Sequence, residues 1–213
     1  MGLNVLIADD HELFREGVRS LVTDVLDASQ VRQAASLDDA LEQLAEGPAP
    51  DLLIVDLRMP GVSGAEALGA LRDALPDTKV VVMSASEERA DIIAALASGV
   101  NGYVPKSLSA AQIEAALRDV LSGRIYAPAT LGQRENGNGA EHTERRAPPT
   151  SIEGLTGRQK DVLAQLMKGQ SSKEIARALG IAEGTVKIHL AAIYRAAGVR
   201  TRAEAIAKLS AMR

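Results

Sequence analysis

Leu52-Leu53-Ile54-Val55-Asp56-Leu57-Arg58-Met59-Pro60-Gly61 is the stretch from which the rest of the chain is read. Four apolar residues run into one carboxylate, and a Pro-Gly turn follows. An unbroken apolar run of this length, closed by turn residues, is the pattern of a strand buried on both faces, as in a parallel sheet covered by helices. Its last residue then stands at the carboxyl edge of the sheet, where open α/β folds place their chemistry. Asp56 is the first candidate functional residue.

Outward from this strand the pattern repeats. Apolar runs at Leu3–Ala8, Val31–Ala35, Leu52–Val55, Lys79–Met83 and Gly102–Val104 alternate with helix-like segments near 11–26, 37–46, 64–74, 87–98 and 110–122. Five such units predict an α/β domain with a doubly wound, five-stranded parallel sheet over residues 1–122. Ser36-Leu37-Asp38-Asp39, Ser63-Gly64-Ala65-Glu66 and Ser109-Ala110-Ala111-Gln112 are capping-box patterns that mark helix starts, and Asp10 is expected to cap the first helix.

The residues just past the strands converge on one edge: Asp9-Asp10 after the first, Asp56 after the third, Ser84 after the fourth, and Lys106 after the fifth, which itself contains Tyr103. Each has an ordinary explanation alone: Asp10 as a cap, Ser84 as a turn residue, Lys106 as a solvated strand end, Tyr103 as core. All of them on one edge read as a site. Three close carboxylates repel by several kcal/mol unless a cation is present, and an all-oxygen, partly hydrated cluster suits Mg²⁺ or Mn²⁺.

These residues, with Met59-Pro60-Gly61 after the third strand, resemble the receiver domain of two-component response regulators, a flavodoxin-like fold. The resemblance implies that Asp56 accepts a phosphoryl group from a sensor histidine kinase. It implies that Asp10, Asp56 and the backbone carbonyl of Arg58 hold Mg²⁺, with Asp9 acting through water. Lys106 and Ser84 would contact the phosphoryl oxygens, and Tyr103 would move with Ser84 as a switch. One departure stands out: many receivers place Pro after the lysine, whereas here Pro105 precedes Lys106 and Ser107 follows it.

Residues 123–151 carry Gly132, Asn136-Gly137-Asn138-Gly139 and Ala147-Pro148-Pro149-Thr150 and are expected to form a structureless tether between two domains. Beyond it, residues 152–213 read as four short helices: one from Thr156 to about Lys168, one from Ser171 to Leu179, one over 183–197, and one opening at Thr201. Short helices with tight turns predict a small all-α helix-turn-helix module. On the third helix Val186, Leu190, Ile193 and Ala197 form an inward stripe, and Gly184, Lys187, Ile188, Ala191 and Arg195 an outward one.

Leu155-Thr156-Gly157-Arg158-Gln159, Lys173-Glu174-Ile175-Ala176 and Gly184-Thr185-Val186-Lys187-Ile188-His189 resemble the LuxR-type DNA-binding domain, and receiver plus LuxR module together resemble the NarL/FixJ subfamily. The resemblance implies that helix 183–197 enters the major groove of double-stranded promoter DNA. Lys187 and Ile188 would reach base edges, Thr185 and His189 would lie near phosphates, and Ala191 and Arg195 would complete the reading face. Helix 201–211 would pair two protomers into a homodimer. RNA polymerase is a further candidate partner. Ala182 stands where the family usually has a capping Ser, Gln159 replaces a common Glu, and Ala191 replaces a frequent polar reader, which favours shape-driven readout.

Composition fits a cytoplasmic regulator. The chain has no Cys, which excludes disulfides and thiolate chemistry, and no apolar run that would span a membrane. Charge divides sharply: residues 1–122 carry 9 Lys+Arg against 20 Asp+Glu, and residues 152–213 carry 11 against 5. Only the second block suits a polyanion, and the two blocks should attract each other. The rival readings are weaker. A haloacid-dehalogenase phosphatase needs a second acid two residues after Asp56, where Arg58 stands. A quorum-sensing LuxR pocket needs aromatic lining, against one Phe, three Tyr and no Trp. A receiver used purely for dimerisation would form no acyl phosphate. The expectation is a phosphorylation-switched transcription factor and not an enzyme, with its recognition helix held against the receiver until Asp56 is modified.

Overall fold

A computed structural model describes residues 2–62, 64–133 and 154–211. Five strands, β1 (Leu3–Ala8), β2 (Ala28–Ala34), β3 (Leu52–Asp56), β4 (Lys79–Ser84) and β5 (Gly102–Pro105), form one sheet in the order β2-β1-β3-β4-β5. All neighbouring pairs are parallel. Five helices cover it: α1 (Glu12–Asp24), α2 (Leu37–Glu46), α3 (Gly64–Ala74), α4 (Arg89–Ala97) and α5 (Ala110–Leu121). This is the doubly wound arrangement expected, with its topological switch between β1 and β3.

The period of two along each strand sorts the apolar runs between two cores. Leu6, Ala8, Leu53, Val55, Val80 and Val82 pack with α2, α3 and α4; Val5, Ile7, Leu52, Ile54, Val81, Met83 and Val104 pack with α1 and α5. Every residue of β3 is buried, so neither face could carry the polar alternation of a surface strand. Burying each Leu, Ile or Val contributes roughly 1.5–3 kcal/mol, which fixes the register and with it the position of Asp56.

Strands β3, β4 and β5 each run one residue further than the apolar runs suggest, so Asp56, Ser84 and Pro105 are strand residues rather than loop residues. Strand β2 begins at Ala28 rather than Val31, because an edge strand with exposed Ser29 and Gln30 leaves little apolar signal. Asp10 does not cap α1. His11 is the N-cap residue, without a side-chain cap bond, and Asp9 Oδ1 accepts its amide at 2.9 Å. Ser36 accepts from the Asp39 amide, and the Gln112 side chain accepts from the Ser109 amide, as the capping patterns predict; Ser63 lies outside the described residues.

The expected tether is shorter at its start than its composition suggests. The Tyr126 carbonyl accepts the Tyr103 amide and the Tyr126 amide donates to the Asn101 carbonyl, so the chain docks beside β5 before a 3-10 helix at Ala129–Gln133. Arg89 on α4 holds the Leu131 carbonyl at 3.0 Å. Residues 123–133 thus pack on the sheet domain because β5 would otherwise be an unpaired edge. The remainder of the expected tether, through 151, lies outside the described residues.

The second module contains α6 (Gly157–Leu166), α7 (Ser172–Leu179), α8 (Glu183–Ala197) and α9 (Arg202–Ser210) around Leu155, Val162, Leu166, Ile175, Val186, Leu190, Ile193 and Ala205. Thr156 with Gln159 and Ser171 with Glu174 form complete capping boxes, and Thr201 accepts from the Glu204 amide. Gly180 and Gly198 end α7 and α8 in the left-handed conformation that a side chain resists. At the start of α8, Ala182 has the extended geometry of an N-cap and no side chain to use it. Ala182→Ser should therefore stabilise this module by about 1 kcal/mol, read as an upward shift of its calorimetric unfolding transition; an unchanged transition would contradict the missing-cap account.

Candidate functional site

Because parallel strands all end on one edge, the side chains of Asp9, Asp56, Ser84 and Lys106 arrive together. Asp9 and Asp56 are each only 2% exposed and Ser84 is fully buried. Lys106 Nζ sits 2.7 Å from Asp9 Oδ2 and 2.9 Å from Asp56 Oδ2, so one ammonium grips both carboxylates. It also stands 4.6 Å over the Phe14 ring, which holds the cation from below. The other Asp56 oxygen, Oδ1, accepts the Arg58 amide at 3.0 Å. The Asp56 carboxylate is therefore fixed at both oxygens. All described peptide bonds are trans, including those flanking Lys106, and the Lys106 amide donates to the Ser84 carbonyl at 2.8 Å. The displaced proline leaves Lys106 in place.

Asp9, Asp10, His11 and Asp56 bring one donor atom each within 4.8 Å of one another, an arrangement that suits a small divalent cation. His11 is a participant the strand-end reasoning passed over, although it directly follows Asp9-Asp10. Ser86 is another: its amide donates to Ser84 Oγ at 3.1 Å, its hydroxyl to Asp91 at 2.6 Å, and its carbonyl accepts the Tyr103 hydroxyl at 2.7 Å. Tyr103 is wholly buried, and burial pushes its phenol above the usual range. A hydrogen-bond chain thus connects Ser84, Ser86, Tyr103 and the start of α4.

The second feature is the surface on which α8 rests. Ile188 and Ala192 belong to the same buried cluster as the residues of α2 and α3, with Ala191 against it. Lys187 Nζ lies 2.8 Å from Asp38 on α2, Arg158 Nη2 lies 3.2 Å from Glu66 on α3, and Arg195 donates to the Ala74 carbonyl at the end of α3. The backbone of Gly184 closes directly on Gly61, so that a methyl group at Gly184 would collide with the Gly61 carbonyl oxygen. Gly61 lies five residues after Asp56. Of the residues singled out for DNA contact on α8, Lys187, Ile188, Ala191 and Arg195 touch the sheet domain, His189 lies buried near Glu66 of α3, and Thr185 is buried as well.

A family model for the response regulator receiver domain matches residues 5–118, and one for bacterial regulatory proteins of the luxR family matches residues 153–209. The chain is a transcriptional response regulator. It is 37% identical to the glycerol metabolism activator of Pseudomonas putida over 95% of this chain and 92% of that protein. It is 32% identical to the nitrate/nitrite response regulator NarL of Escherichia coli K12 over 94% of this chain and 92% of NarL. The solved structure of the Salmonella typhimurium response regulator RcsB shares the fold, with a TM-score of 0.57 over 99% of this chain and 98% of that one at 20% identity. Among the described residues no helix is long and apolar enough to cross a membrane.

The regulator's domain interface combines apolar packing of Ile188 and Ala192 with ion pairs and polar groups. Its ion pairs are partly solvated, and exposed pairs each contribute only about 0–1 kcal/mol. Thr185 Oγ1 and both His189 ring nitrogens are buried without a protein partner, and an unpaired buried polar group costs on the order of 1–3 kcal/mol. Burial, with Arg158 of α6 adding repulsion and Glu66 of α3 opposing it, holds the His189 imidazole below its usual pKa. The closed form therefore binds fewer protons at His189 than any form that hydrates it. Closure is unpenalised above the ordinary histidine value of about 6.5 and weakens as pH falls through it, the penalty levelling off below the depressed value. Hydrogen exchange in α8 of the full chain, corrected for intrinsic rates, should rise between pH 7.5 and 5.5, and His189→Gln should flatten the dependence; an identical profile in that variant would remove His189 from the account.

Proposed function

We propose that Asp56 is the phosphoacceptor of this regulator, charged by a sensor histidine kinase, and that its modification releases α8 to bind promoter DNA. The observation that carries the reading is continuity: the loop that begins at Asp56 reaches α8 through the Gly61–Gly184 contact. The oxygen-rich cluster of buried and half-exposed carboxylates fits Mg²⁺ or Mn²⁺, with Asp10, Asp56 and the Arg58 carbonyl as ligands and Asp9 assisting through water. Such an ion, when bound, would offset negative charge on the carboxylates and the incoming phosphoryl oxygens.

Asp56 is held at both oxygens, so little reorganisation precedes attack on phosphorus. The new O–P bond forms as the P–N bond to the kinase imidazole breaks, and the imidazole keeps the electron pair and takes a proton. Lys106 then follows the charge from the carboxylate to the phosphoryl oxygens, and Ser84 Oγ donates to the same group. Movement of Ser84 carries Ser86 and Tyr103 with it through the hydrogen bonds that link them. Charge added at Asp56, whose Oδ1 accepts the Arg58 amide, alters the β3–α3 loop on which Gly184 rests. Such a chain acts by shifting the equilibrium between closed and open forms.

Once released, Lys187 and Ile188 read base edges, Thr185 and His189 approach phosphates, Arg195 adds charge, and Ala191 leaves a smooth surface that favours shape readout. Ala205 and Leu209 of α9 face their own module, leaving the opposite face of α9 to pair protomers on a two-fold site. The protein works in the cytoplasm, with RNA polymerase as the partner at the promoter, and performs no catalytic turnover beyond its own phosphoryl transfer.

Incubation with acetyl phosphate and Mg²⁺ should give an acid-stable, base-labile acyl phosphate, absent in Asp56→Asn although that variant folds; label retained in the variant would place the acceptor elsewhere. Gly184→Ala should open the interface by collision with Gly61 while favouring helix α8 by up to about 1 kcal/mol. The unphosphorylated variant should bind promoter DNA at least tenfold more tightly than the wild type in one buffer. Equal affinities would show that closure does not limit DNA binding.

A further inference from the structure

We propose that His11 is an additional metal ligand of the acidic site and biases it toward Mn²⁺ and similar borderline ions over Mg²⁺; this rests on the reading of that site as the cation site of the phosphoacceptor.

The argument begins with distances. His11 Nδ1 lies 3.0 Å from Asp10 Oδ1, 3.4 Å from Asp9 Oδ1 and 3.9 Å from Asp56 Oδ2. In an octahedron with ligands at about 2.1 Å, adjacent donors stand about 3.0 Å apart and opposite donors about 4.2 Å. The His11 separations fall within that interval, and all the donor atoms of the cluster lie within 4.8 Å of one another, so Nδ1 stands where a ligand of the same ion would stand.

The backbone explains why the nitrogen is there. His11 is the N-cap residue of α1, with φ −87° and ψ 101°, and its amide donates to Asp9 Oδ1 at 2.9 Å. This bond and the buried Asp9 carboxylate tie the residue to the site it faces, while 70% of its side chain remains exposed. The exposed remainder of the ring leaves Nε2 free for solvent. A ring that delivers Nδ1 inward while Nε2 stays hydrated is a competent monodentate ligand.

Chemistry then sets the preference. Carboxylate, carbonyl and water oxygens serve Mg²⁺ and Mn²⁺ alike, but an imidazole donor favours the transition ion, since Mg²⁺ holds its waters and gains little from nitrogen. Lys106 is bonded to Asp9 Oδ2 and Asp56 Oδ2, whereas Nδ1 approaches Asp9 through Oδ1 and Asp10 through Oδ1, from a side chain that is 70% exposed.

The test uses the full chain with Mn²⁺ alone. Pulsed electron paramagnetic resonance of the bound ion should show a directly coordinated nitrogen, which changes isotope pattern when histidine is ¹⁵N-labelled and vanishes in His11→Gln. In that variant Mn²⁺ affinity should fall about tenfold, and Mg²⁺ affinity, measured by competition, less than twofold. Mn²⁺ binding without nitrogen coupling, or coupling that survives in His11→Gln, overturns the role of His11 while leaving the acidic site intact. No Mn²⁺ or Mg²⁺ binding in the wild type, with Asp56 still accepting phosphate, overturns the proposal together with the cation site.

Discussion

The grip of Lys106 on Asp9 and Asp56 is the interaction on which the rest of the molecule depends. Two buried carboxylates on adjacent strands cannot remain charged side by side without a nearby cation, and the ammonium supplies it at 2.7 and 2.9 Å. That arrangement requires β1, β3 and β5 to end level with one another, which requires the register set by their apolar faces. It also requires the ammonium to arrive from the far edge of the sheet, steadied over Phe14. A cation balancing two anions is a state that any new charge at Asp56 would disturb.

The disturbance has two physical routes outward. One is the hydrogen-bonded chain of Ser84, Ser86 and Tyr103, which ends at α4. The other is the loop after β3, whose Gly61 meets the backbone of Gly184. The second route reaches α8 directly. It ends on an interface made of apolar contacts, partly solvated ion pairs and the unpaired ring nitrogens of His189. Such an interface is held by opposite charges and apolar residues, while the buried His189 nitrogens without a protein partner oppose it. A switch needs both properties, since a ligand or modification shifts an equilibrium only by its differential effect on the two states.

Much of this was legible in the sequence because the relevant signals are local. Unbroken apolar runs gave the central strands, and capping pairs such as Thr156 with Gln159 and Ser171 with Glu174 gave the helix starts. Strand ends gave Asp9, Asp56, Ser84 and Lys106. The misreadings follow from the same logic. Edge strand β2 was read short because its exposed residues carry no apolar pattern, and Asp10 was read as a cap although His11 takes that position. Residues 123–133 looked like tether because their attachment is through main-chain bonds of Tyr126, to which composition is blind.

Sequence alone determined the two modules, the five-stranded parallel sheet, the carboxylates and ammonium at its edge and the two faces of α8, because each follows from periodicity and chain topology acting over short distances. Only the tertiary structure decided what those parts do to one another. That His11 turns its nitrogen onto three carboxylates, and that Gly184 and Gly61 meet without side chains between them, depend on residues brought together from 11 to 56 and from 61 to 184. Closed-chain geometry fixes such distances, and no local pattern encodes them. The attraction between an acidic and a basic block was written in the composition; the surface on which they meet was set by packing.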